Sequence, residues 1–106
     1  MSSRDPYTYV SMAMYGTERP QLHISFHTPY LRANTMLVEK VRPVLCLETS
    51  EAGLTISTTG AGLVTDQDVM LARKIADAAT AYLADCERLH AEQSAPDQAT
   101  SDQTAA

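Results

Sequence analysis

Residues 65–93 read TDQDVMLARKIADAATAYLADCERLHAEQ, and this stretch decides the fold class. Thr65 stands where a helix N-cap belongs and Asp68 at the capping-box position three residues on, with Asp66 also in the first turn. A hydroxyl at the cap accepts a backbone N–H, and early acids complement the positive end of the helix dipole. Leu71, Ile75, Ala78, Tyr82, Cys86 and Leu89 recur at steps of three or four, which is one helical face. Val69, Ala72, Ala76, Ala79 and Leu83 widen it. Six alanines between 72 and 84 add intrinsic helix propensity. The spacing predicts one long amphipathic helix from Thr65 to Gln93.

Upstream of this helix the period changes from 3.6 to two. In residues 7–15, Val10, Met12 and Met14 fall on one side and Tyr7, Tyr9, Ser11, Ala13 and Tyr15 on the other. Gly16-Thr17-Glu18-Arg19-Pro20 reads as a turn. Residues 21–28 alternate again, Leu22, Ile24 and Phe26 against His23, Ser25 and His27, so the two runs predict a β-hairpin. Pro29 to Asn34 breaks the pattern. Residues 36–48 are apolar and β-branched but contain Pro43, which fits an edge strand, a bulged strand or two pieces, with Val44 to Glu48 the firmer part. Thr49 to Gly53 reads as a second hairpin loop and Leu54 to Thr58 as a fourth strand.

The expected architecture is therefore α+β, a four-stranded antiparallel β-sheet in β-β-β-β-α order with one long C-terminal helix packed on one face. Residues 1–6 read as an N-terminal extension, 7–93 as a single domain, and 94–106, which lack apolar bulk, as a disordered tail. A helix of that length spans about 43 Å at ~1.5 Å per residue, whereas an eight-residue strand spans about 27 Å. The last helical turns should overhang the sheet and need other cover. Tyr82, Cys86 and Leu89 are accordingly the candidate dimer contacts, and a second copy of the chain is the expected partner.

Charge and length bound the function classes. A chain of 106 residues is one ordinary domain and buries a modest core. The formal net charge is −5. Residues 1–50 hold five basic and four acidic side chains (+1) and residues 51–106 three and nine (−6), so the acidic half disfavours nucleic acid as a partner. No apolar run approaches the roughly 18 residues a membrane span needs, and no secretory h-region follows Met1. A cytoplasmic location with reduced Cys46 and Cys86 is expected, and the excess of Arg over Lys with abundant Ala fits a bacterial or phage source.

Three constellations stand out as places for function. The sheet face opposite the helix should show Tyr7, Tyr9, Tyr15, His23 and His27, with Ser11, Ser25, Thr55 and Ser57 between them. Tyrosine rings with small hydroxyls form a binding composition, although a solvated sheet face has the same residues. Arg32, Lys40 and Arg42 form a candidate basic group around the third strand, with gatekeeping of a strand edge as the plainer reading. His23 and His27, four apart on a strand, are roughly 13 Å apart and cannot share an ion. Cys86 and His90 have helical chelate spacing but lack further ligands. Gly60-Ala61-Gly62 lacks the third glycine of a dinucleotide turn, and Asp66 and Asp68 oppose a phosphate there. No cofactor, metal or catalytic residue is expected.

Residues 54–59 (LTISTT), Leu63 to Asp68 and Leu71 to Ile75 resemble the end of pterin carbinolamine dehydratases. That family's paired histidines followed by proline are missing, so its activity is not carried over. Residues 54–89 also resemble small uncharacterised actinobacterial and phage proteins that end in a strand, a capping Thr and an alanine-rich helix. The expectation for function is a small non-enzymatic, homodimeric protein-interaction module, with a mobile-element or host-modulating role by analogy. A nucleic-acid binder using the tyrosine face is the first alternative. A small ligand-binding domain or enzyme, with a pocket converging on His23 or His27, is the other.

Overall fold

A computed structural model of the chain describes residues 5–105, with side chains described through Ser94. It is α+β, with antiparallel sheets and one long C-terminal helix. The strands are β1 (Tyr7–Ala13), β2 (Gln21–His27), β3 (Arg32–Val38), β4 (Arg42–Glu48) and β5 (Gly53–Ile56), and the helix α1 is Asp66–Ala105. The expected single four-stranded sheet is corrected: five strands form two sheets, β1-β2 and β3-β4-β5. Two compact units result, Met1–Val64 and Thr65–Ala106, and each is described by itself.

The extra strand comes from a turn with no glycine. Glu39 and Lys40 both take left-handed backbone angles, φ 54° and 65°. Val41 N–H donates to the Val38 carbonyl at 3.1 Å across them. Two left-handed central residues make the turn whose twist matches a β-hairpin. Residues 36–48 are therefore parts of two strands folded on each other, with Leu37 opposite Pro43. β5 pairs with β4 only between Leu45 and Glu48, so Pro43 sits where β4 has a neighbour on one side alone and its missing donor costs little. β3 begins at Arg32, inside the segment expected to be irregular. The 49–52 loop is closed by Thr49: its N–H donates to the Ala52 carbonyl at 2.8 Å, and its hydroxyl accepts from the Glu51 and Ala52 N–H groups.

Register assigns the faces, because directly opposed residues point the same way. In the β1-β2 ribbon, Thr8, Val10 and Met12 lie opposite Phe26, Ile24 and Leu22 on an apolar face. The Thr8 hydroxyl is buried there without a hydrogen-bond partner. In the three-stranded sheet, Leu37, Leu45, Leu47, Leu54 and Ile56 share one face, and Met36, Val44, Cys46 and Thr55 the other. Among the described residues, the buried apolar side chains are only Val44 and Cys46, joined by the polar Thr58. The Thr58 hydroxyl donates to the Gly62 carbonyl at 2.6 Å, and Gly60 and Ala61, both left-handed, carry the chain through a short 3₁₀ turn.

The start of α1 follows the sequence spacing closely. Asp68 N–H donates to the Thr65 hydroxyl at 3.1 Å, and Thr65 N–H donates to the Asp68 carboxylate at 3.0 Å. Two N-terminal donors that the helix itself cannot satisfy are thus paired reciprocally. The expected N-terminal extension falls on residues 1–4, outside the described residues, and on Asp5 and Pro6. The expected tail over 94–106 lies, from residue 95, outside the described side chains.

Candidate functional site

The tyrosine and histidine face forms in part. Tyr7, Tyr9 and Ser11 lie directly opposite His27, Ser25 and His23, so these six share the ribbon face turned away from Val10 and Met12. The Tyr7 and His27 rings stack with centroids 4.3 Å apart and planes 11° from parallel. The His27 ring nitrogen Nε2 is hydrogen-bonded to the Ser25 hydroxyl at 2.7 Å. The face is thus a short row in which one aromatic pair is fixed by packing and Tyr9, 56% exposed, is open. Tyr15 stands beyond the end of β1, in the turn where Glu18 N–H donates to its carbonyl. Thr55 and Ser57, expected on the same face, belong with the three-stranded sheet: Thr55 lies opposite Cys46, and Ser57 hydrogen-bonds the Pro43 carbonyl.

The basic group divides. Arg32 and Arg42 sit at opposite ends of the β3-β4 hairpin, each paired in register with the far end of the other strand (Arg32 with Glu48, Val38 with Arg42). Six residues of strand separate the two ends by about 20 Å. Arg42 donates to the Ser57 hydroxyl at 3.1 Å, and Lys40 lies two residues away in the turn. Arg32 faces Glu48 at 3.7 Å, an exposed pair of little energetic weight.

Arg32 and Tyr7, distant in sequence, come to the walls of one cleft. Its volume is about 250 Å³, with Thr28, Tyr30, Ser50 and Glu51 among its other walls. The volume lies just under the roughly 300–1,000 Å³ of small-molecule sites. The paired and unpaired carboxylates beside Arg32 leave no net positive charge there. Neither His23 nor His27 lines the cleft. Among the described residues, no three His, Cys, Asp or Glu side chains stand close enough to hold a metal ion. No helix is long and apolar enough to cross a membrane among them.

The helix carries the third set. Tyr82 and Leu89 are exposed, as is the free thiol of Cys86. A hydrogen bond with Cys86 and the thiol's charge push the Tyr82 hydroxyl above the ordinary tyrosine value. Of the predicted apolar stripe, Ile75 is half-buried and the rest stands open. Arg88 ties the opposite flank together, donating to Asp85 at 3.3 Å and pairing with Glu92 at 3.5 Å.

No protein-family model, curated protein or solved structure matches the chain.

Proposed function

We propose that this chain is a small non-enzymatic protein-interaction module that works as a homodimer. The observation that carries the reading is how little apolar surface one copy hides. Val44 and Cys46 are the buried apolar residues among those described, while Met12, Leu22, Leu37 and Tyr82 are each more than 60% exposed. A two-stranded ribbon is marginal in water without cover, and β1-β2 forms a sheet of its own with Val10, Met12 and Leu22 open. Contiguous apolar surface of this kind marks association sites in proteins that remain soluble. The tyrosine row of the ribbon and the Arg32 cleft are the surfaces left for a different protein partner. The acidic balance weighs against a polyphosphate partner. A mobile-element or host-modulating role fits the size and rests on analogy.

Light scattering across a concentration series tests the reading. The expected result is a mass rising toward twice the 11.5 kDa chain. A constant single-chain mass up to millimolar protein refutes it.

A further inference from the structure

The homodimer reading leaves open which surface joins the copies, and the helical unit contains an answer. At about 100° per residue, Leu71 and Leu89 lie five turns apart on one line, with Ala78 and Tyr82 within about 20° of it and Ile75 and Cys86 within about 60°. Tyr82 is 73% exposed, Leu71 46% and Leu89 42%. We infer that α1 pairs antiparallel with α1 of a second copy along this stripe; the inference rests on the homodimer proposed above.

Shape and charge favour this arrangement, and area sets its strength. Shape comes first. With Leu71 set against Leu89 of the second copy, Ala78 falls opposite Tyr82, so the largest side chain of the stripe meets one of the smallest. Ile75 falls against the Cys86 level. A parallel pair lines up identical residues and forces Tyr82 onto Tyr82. The second argument is charge. On the flank of the stripe, the same antiparallel register sets Lys74 beside Asp85 of the second copy, and two-fold symmetry repeats the pair. Asp85 already holds Arg88, which holds Glu92, so the intermolecular pair extends a row of alternating charge. A parallel register loses it. Area comes third. At roughly 150–200 Å² for a fully exposed large side chain, the exposures of Leu71, Tyr82 and Leu89 leave about 240–320 Å² of stripe per helix. A pair of helices then buries about 500–650 Å² from these side chains, below the size of stable interfaces. The dimer should therefore be weak and concentration-dependent.

Site-specific cross-linking of the full chain tests the register. Leu71→Cys and Leu89→Cys are made separately in a Cys86→Ala background, and each is mildly oxidised alone and in an equal mixture. Covalent dimer is expected in the mixture and in neither single sample, because only the Leu71 and Leu89 positions of different copies come within disulfide reach. Covalent dimer from each variant alone overturns the inference in favour of a parallel pair. No cross-link in the mixture, with dimer still seen by light scattering, overturns it while the homodimer stands on another surface. Single-chain mass throughout removes both. As a second readout, Tyr82→Glu should raise the dimer dissociation constant at least tenfold with far-UV helicity retained. An unchanged constant overturns the inference.

Discussion

Thr65→Ala puts the first turn of the helix to a quantitative test. The substitution removes the oxygen that accepts the Asp68 N–H at 3.1 Å, while the Thr65 N–H keeps the Asp68 carboxylate at 3.0 Å. Loss of a hydroxyl cap costs about 1 kcal/mol. Asp68→Ala removes the other bond and, with it, an acid in the first turn, whose interaction with the helix dipole adds roughly 0.3–1 kcal/mol. Asp68→Ala should therefore be the costlier single change, at about 1.5 kcal/mol. Because the two bonds orient each other, the double variant should cost less than the sum, by a few tenths of a kcal/mol. Thr65→Ser keeps the oxygen and should stay within about 0.3 kcal/mol of the parent. The assay is thermal unfolding followed at 222 nm, at one fixed protein concentration so that self-association does not enter the comparison. About 1 kcal/mol corresponds to roughly 4–8 °C for a unit of this size. Equal midpoints for Thr65→Ala, Thr65→Ser and the parent would refute the capping argument. So would strict additivity in the double variant.

Two more substitutions test the sheets. Thr8→Val replaces a buried, unpartnered hydroxyl by a methyl of the same shape and should stabilise the chain by about 1 kcal/mol in urea unfolding; a loss of stability would mean the hydroxyl is satisfied in solution. Glu39→Asn combined with Lys40→Gly gives the two left-handed positions the residues that tolerate them, and should raise the unfolding free energy in urea by about 1 kcal/mol, whereas a lower value would mean that the turn is built differently.

The legible parts of the fold were those whose signals are local. Alternation placed Tyr7, Tyr9, His23 and His27 together because each run belongs to one strand and the two strands are neighbours. The helix start was legible because a capping box is complete within four residues. The β3-β4 hairpin was not, for two physical reasons. Its turn uses Glu39 and Lys40 in a conformation that glycine and asparagine ordinarily signal, and Pro43 argued against a central strand although its side of β4 has no ladder to break. With one sheet expected in place of two, Thr55 is placed on a common face with Tyr7 and His27, and with the hairpin missed, Arg32 and Arg42 are grouped though they stand at opposite ends. That Arg32 and Tyr7 line one cleft depends on how the ribbon's first residue stands beside the 28–32 connection, and no periodicity encodes that.

The contrasting settings of the two cysteines have a practical consequence. Cys86 is open on the helix, whereas Cys46 is hidden in β4, the middle strand of its sheet. A thiol reacts only when reagent reaches it, so Cys86 should label in seconds to minutes and Cys46 only during openings of the strand. The natural chain thus contains a fast and a slow chemical clock. The first can carry a dye for following encounters between copies. The second reads, from its labelling rate alone, how often the middle of the sheet comes apart.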